Sequence, residues 1–84
     1  MNVKLNEWNE LIEYGRKICK NLFEKNGYDV RLKPYTTYDG RKGLKLQVFD
    51  NFGCFFTEYA TGIGTYTEMK NSLYYNANRI VNEL

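Results

Sequence analysis

Three side chains could act as nucleophiles: Cys19, Cys54 and Ser72, the only serine. Each needs a base to activate it, and the chain contains no histidine. That removes the Ser–His and Cys–His pairs and also the commonest zinc ligand. Cys19 falls on the apolar face of a predicted helix and reads as core. Cys54 faces outward at the end of a predicted hairpin and could be reactive, but no nearby base is evident. The two cysteines lack metal-ligand spacing and imply no disulfide framework, so reduced thiols are expected. The three aspartates, Asp29, Asp39 and Asp50, all read as turn or strand-start residues, and none can pair as a catalytic dyad. Gly62-Ile63-Gly64 precedes a predicted helix, where backbone N–H groups can cradle a phosphate. It lacks the later glycine or the lysine of nucleotide-binding loops, and a plain strand-to-helix turn is the favoured reading. The chain is therefore expected to be no enzyme, with no catalytic residues, no metal ligands and no cofactor.

The element that positions the remaining candidates is Leu44 to Tyr59, LKLQVFDNFGCFFTEY. Leu44, Leu46 and Val48 alternate with Lys45, Gln47 and Phe49, the period of a half-buried strand. Asp50-Asn51-Phe52-Gly53 is turn chemistry. Setting Phe49 opposite Cys54 pairs Lys45 with Glu58 and Gln47 with Phe56 on one face, and the opposite charges support that register. A three-residue loop closing Asp50 on Cys54 competes with it, but puts Glu58 opposite Leu46.

The rest of the chain is placed around this hairpin. Asn6 is the expected cap of a first helix, with Glu7, Glu10 and Glu13 near its positive end. Leu5, Trp8, Leu11, Ile12, Gly15, Ile18, Cys19, Leu22 and Phe23 form its apolar face, and Asn26-Gly27 ends it. Gly15 on that face is expected to admit another backbone. Tyr28, Val30 and Leu32 begin a first strand, and Pro34 marks an edge or bulge. Asp39 to Gly43 reads as a five-residue loop, which sets Tyr38 opposite Leu44 and Tyr35 opposite Gln47. Thr65 and Glu68 form a capping box for a second helix running to the C-terminus. The expectation is one α+β domain over residues 1–84, in the order α-β-β-β-α: a three-stranded antiparallel meander with two helices packed on one face.

The other sheet face is then left over. It carries Lys33, Tyr35, Lys45, Gln47, Phe49 and Phe56, the candidate partner-binding residues. Aromatic rings interleaved with cations suit a protein interface or base stacking, and exposed apolar area of this kind signals a partner. Charge is uneven as well. Arg16 to Lys45 holds nine basic residues against three acidic, within a chain of net charge +2. A second candidate set, Arg31, Lys33, Arg41, Lys42 and Lys45, is therefore a basic patch for nucleic acid.

Two families share features with this pattern. The α-β-β-β-α order resembles the double-stranded-RNA-binding domain, and Gly62-Ile63-Gly64 is similar to that family's turn before its last helix. The resemblance implies duplex binding, but Thr67 and Glu68 stand where that family has paired lysines. Phe52 to Tyr59 is similar to the RNP1 octapeptide of RNA-recognition motifs at Gly53, Phe56 and Tyr59, and departs from it at Phe52, Cys54 and Phe55.

Eight tyrosines and ten asparagines fit A/T-rich coding, as in a low-GC bacterium or its phages. No apolar leader or membrane-length run is visible, so cytoplasmic localisation without membrane contact is expected. The expected function is a small non-catalytic binding protein from a phage or mobile element. It would occlude a host protein or nucleoprotein complex in the manner of anti-CRISPR or anti-restriction inhibitors. The alternative is a nucleic-acid-binding domain, and a homodimer through the open sheet face is a further expectation.

Overall fold

A computed structural model describes residues 3–50 and 52–84. The chain runs α1 (Leu5–Asn26), β1 (Asp29–Thr36), β2 (Lys42–Phe49), β3 (Phe55–Ala60) and α2 (Tyr66–Glu83). The strands form an antiparallel sheet in the order β1-β2-β3. Both helices pack on one face of it, so the architecture is the α+β order expected.

Helix α1 starts before Asn6. Lys4 holds the extended N-cap position, and its backbone N–H donates to the Glu7 carboxylate at 3.0 Å. Val3 and Trp8, just outside and just inside the first turn, are both buried, as in a hydrophobic staple. Gly27 closes the helix at φ 74°, its N–H donating to the Phe23 carbonyl at 3.0 Å. Trp8, Leu11, Gly15 and Leu22 are the buried side. Leu5 and Phe23, read from the sequence as part of that face, are exposed. At 100° per residue they sit about a quarter turn away from the line through Leu11, Gly15 and Leu22. Gly15 does admit a close neighbour, but it is the Leu32 side chain of β1: a Cβ on Gly15 would lie 2.7 Å from Leu32 Cδ1.

The inner sheet face buries Val30, Leu44, Leu46, Val48 and Tyr59 against both helices. The pairing on either side of β2 differs from the sequence expectation. Between β1 and β2, Leu44 pairs with Pro34 rather than Tyr38, and Tyr35 pairs with Gly43 rather than Gln47. The turn is Tyr38-Asp39-Gly40, closed by Thr37 N–H to the Arg41 carbonyl at 2.8 Å, with Gly40 at φ 86°. Gly43 therefore belongs to the strand. The Tyr35 ring lies against it, 2.4 Å from where a Cβ would be, so the aromatic ring covers the bare glycine backbone. The register slips by four residues, an even number, so the side chains within β1 and β2 keep their predicted faces, whereas Tyr38 leaves the sheet for the turn.

Between β2 and β3 the competing loop is the one adopted. Asp50 N–H donates to the Cys54 carbonyl at 2.9 Å, and the Asp50 carboxylate accepts from the N–H groups of Phe52 and Cys54. Phe49 then pairs with Phe55 and Val48 with Thr57, which leaves Phe56 as the extra residue of a β-bulge. The bulge resets the ladder so that Glu58 faces Gln47. Lys45 still reaches Glu58 diagonally, at 3.4 Å.

Thr65 caps α2 as expected: its hydroxyl accepts from Glu68 N–H at 3.2 Å, and the Glu68 carboxylate accepts from Thr65 N–H at 3.3 Å. Met69, Leu73, Asn76 and Ile80 are the buried side. Asn76 Nδ2 donates to the Ala60 carbonyl at 3.3 Å and ties α2 to the end of β3.

The last turn of α2 is clasped to the sheet. The Tyr59 hydroxyl donates to Glu83 at 2.8 Å, and Arg79 donates to the other Glu83 oxygen at 3.0 Å. The Tyr59 hydroxyl, with Arg79 beside it, holds the Glu83 carboxyl below the usual carboxylate range. A depressed folded value means the stabilisation is full above the unfolded glutamate pKa of about 4.3 and is lost as pH falls through the folded value. Wild type should therefore exceed Tyr59→Phe in stability at pH 7, and the gap should shrink as pH is lowered below about 4.3. Urea titrations across that range would check it. A gap independent of pH would mean that the Tyr59 hydroxyl does not act through the Glu83 charge.

Candidate binding face

The open face of the sheet is built in rows across the strands. Asp29, Phe49 and Phe55 form one row; Arg31, Gln47 and Glu58 the next; then Lys33, Lys45 and Ala60; then Tyr35 and Gly43. Of the six residues expected to bind a partner, Lys33, Tyr35, Lys45, Gln47 and Phe49 share this face by strand alternation. Phe56 does not join them, because the bulge gives Phe55 its place opposite Phe49. Phe56 instead lines a hollow of about 200 Å³ with Tyr28, Val48 and Leu84. The sequence signal for Phe55 was the three-residue loop; the bulge beyond it carried no signal of its own.

The side chains are fixed to one another. The Arg31 guanidinium lies 4.2 Å from the Phe49 ring centroid. Phe49 and Phe55 meet edge-to-face, with centroids 5.8 Å apart. Arg31 also pairs with Asp29 at 3.2 Å. Gln47 Nε2 donates to Glu58 at 3.4 Å, and Lys45 Nζ sits 5.1 Å from the Tyr35 ring centroid. Aromatic and cation–π contacts of these kinds contribute roughly 0.5–1.5 kcal/mol each. Their larger consequence is order: a face whose rotamers are already set loses less entropy when it docks.

The β2–β3 hairpin end exposes three phenylalanine rings. Phe52 is 91% exposed, Phe56 61% and Phe55 55%. Phe52 lies in the turn, and for Phe55 and Phe56 the bulge is the cause. Strict alternation would send one of Phe55 and Phe56 to the inner face; an extra residue here leaves both partly in solvent. The sheet edges are less suited to adding a strand. Thr37 N–H bonds to Arg41 and Thr61 N–H bonds to Leu44. By the alternation of an antiparallel ladder, Pro34 then lacks its N–H on the outer side of β1. On β3 the bulge interrupts the edge, and the Ala60 carbonyl is taken by Asn76. A partner is thus offered a face rather than an edge.

The five cations of the second candidate set are divided. Arg31, Lys33 and Lys45 lie on the open face. Arg41 is in the β1–β2 loop and pairs with Asp39 at 2.9 Å. Lys42 lies 5.4 Å from the Trp8 ring of α1. Asp39 itself is held below the usual carboxylate range, first by the Thr37 hydroxyl and then by Arg41. Lys33 stands directly opposite Lys45, an unfavourable like-charge pair that Glu58 relieves only on the Lys45 side.

The glycine turn before α2 is an unfavourable anion site. The Glu68 carboxylate already occupies the helix start and accepts both the Thr65 N–H and the Thr65 hydroxyl. Among the described residues no three His, Cys, Asp or Glu side chains gather to hold a metal ion, and no helix is long and apolar enough to cross a membrane.

Burial pushes the Cys19 thiol up to about 11, whereas Cys54 is exposed at the hairpin. In the folded protein at pH 8, Ellman's reagent should titrate one thiol promptly, and Cys54→Ser should abolish that fast phase. Prompt reaction of both thiols would mean that α1 opens locally.

A scan against protein families, a search of curated proteins and a search of solved structures each find no match for this chain.

Proposed function

We propose that this chain is a small non-catalytic binding protein that covers a surface of a host protein or nucleoprotein complex with its open sheet face. The observation that carries this reading is the Arg31–Phe49–Phe55 stack, an ordered and partly exposed aromatic–cation array. Arginine and aromatic residues dominate the energetics of protein interfaces. Occlusion of the kind exerted by phage-borne anti-CRISPR and anti-restriction inhibitors suits a domain of this size, because it requires a surface and no reaction. It also fits the A/T-rich residue usage.

A second reading, direct nucleic-acid binding, has one observation in its favour: the like-charged Lys33–Lys45 pair, which a phosphate would relieve. Against it, Arg31, Arg41 and Lys45 already pair with carboxylates on their own chain. Anisotropy titrations against labelled duplex and single-stranded DNA at two salt concentrations separate the readings. Protein docking predicts no saturable binding. Contact through Arg31, Lys33 and Lys45 predicts a duplex log–log salt slope of roughly −2.7, at about −0.9 per neutralised phosphate.

A further inference from the structure

A second recess lies in the helix layer. Tyr14, Lys17, Ile18 and Leu22 on one side, and Ala77 and Val81 on the other, help to line a groove of about 340 Å³ between α1 and α2. No strand residue lines it, so it is separate from the open sheet face, and a ligand held there is independent of the proposed function. Its floor is apolar, and Ala77, short against its neighbours, leaves the notch open. Val81 is exposed there, next to the buried Ile80.

The charge on this groove has one sign. Among the described residues, Lys17 and Lys25 are its only ionisable lining groups apart from tyrosines, and no carboxylate lines it. They stand eight residues apart on α1, about 12 Å along the axis at 1.5 Å per residue. Lys20, between them in sequence, is paired with Glu24 at 3.9 Å, whereas no ion pair joins Lys17 or Lys25 to another described residue. The groove volume is at the small end of ligand sites. At about 30 Å³ per water it holds roughly eleven waters, room for a slender chain of comparable heavy-atom number.

We propose that the groove between α1 and α2 binds an elongated aliphatic carboxylate, its chain along Ile18, Leu22, Ala77 and Val81 and its head group at Lys17 or Lys25. A largely apolar trough whose charged rim groups are both cations, with neutral Asn21, Asn26 and Asn78 beside them, complements a molecule that is apolar along its length and anionic at its end, and it disfavours the cation of equal length.

The test is a titration of the isotope-labelled full chain, monitored by amide chemical shifts. The probes are decanoate and decyltrimethylammonium, both below their micelle concentrations. The expected result is saturable shifts centred on Ile18, Leu22, Ala77 and Val81, with decanoate bound at least about tenfold more tightly than the cation, a difference of about 1.4 kcal/mol. Lys17→Glu with Lys25→Glu changes only exposed positions. This variant, with its folded spectrum retained, should lose about tenfold or more in decanoate affinity and gain affinity for the cation. Equal affinity for both probes would overturn the proposal, as would unchanged binding by the charge-reversed variant. Shifts centred on Phe52, Phe55 and Phe56 would also overturn it, marking adsorption at the hairpin. So would a groove that ignores decanoate but is saturated by a glutamate-rich amphipathic helical peptide, which would assign it to a protein segment.

Discussion

Leu46→Ala should lower the unfolding free energy by about 3 kcal/mol, while Gln47→Ala, one residue along, should cost about 0.5 kcal/mol. Leu46 is fully buried at the centre of the middle strand, with Leu32 and Tyr59 as its cross-strand partners. Its truncation leaves a void beneath both helices that the sheet cannot collapse to fill. Gln47 lies on the other face, and its side-chain bond to Glu58, at 3.4 Å, is long. For a domain of this size each kcal/mol moves the thermal midpoint by roughly 4–8 °C, so Leu46→Ala should fall by roughly 15 °C and Gln47→Ala by a few degrees. Thermal and urea unfolding of both variants decide it. Comparable losses would mean that the face carrying Gln47 is also covered, and the proposed binding surface would not exist.

Phe49→Ala with Phe55→Ala should weaken partner binding by about a hundredfold, because the two rings and Arg31 form one contact unit. Central aromatic anchors at interfaces cost about 2 kcal/mol or more when truncated, and each 1.4 kcal/mol is tenfold. The same pair should cost the isolated protein about 2 kcal/mol, from the lost edge-to-face contact and the lost cation–π contact. The two effects separate by comparison with Leu46→Ala. At a temperature where both variants are folded, the core variant keeps its affinity and the face variant loses it. Equal weakening in both would assign the effect to instability rather than to the face. Phe56→Ala serves as an internal control for the bulge, since Phe56 lies outside the Arg31–Phe49–Phe55 unit and should weaken binding less than Phe55→Ala does.

On β1 and β2 the faces were legible from the sequence and the registers were not. Alternation alone assigned Leu44, Leu46 and Val48 to the core and Lys45, Gln47 and Phe49 to the open side. It survived a four-residue slip between β1 and β2 because an even slip preserves sidedness. The slip itself arose at Gly43. Glycine beside Arg41-Lys42 reads as loop, and only the Tyr35 ring lying over it explains its place in a strand. The bulge at Phe56 was hidden for a related reason. The three-residue loop and the Lys45–Glu58 pairing looked like rival registers; the loop is adopted, and the extra residue sets Lys45 opposite Ala60 and Glu58 opposite Gln47, leaving Lys45 and Glu58 in diagonal contact only. One long-range contact and one local one explain two other departures. Asn76 is polar in a core position because it reaches the Ala60 carbonyl, and Asn6 is not the cap because Glu7 and the Val3–Trp8 pair begin α1 earlier. The open-face candidates were thus found by periodicity, while Phe55 required the fold.

Docking of a partner on the sheet face opposite the helices is tested most directly by site-specific photo-crosslinking in host extract. The probe is p-benzoylphenylalanine in place of Gln47 on the open face or of Tyr75 on the exposed side of α2. Docking through the open face predicts a discrete crosslinked product from position 47, absent at position 75 and diminished by Phe49→Ala with Phe55→Ala. A product from position 75 alone, or one from position 47 that the double substitution leaves untouched, would contradict it.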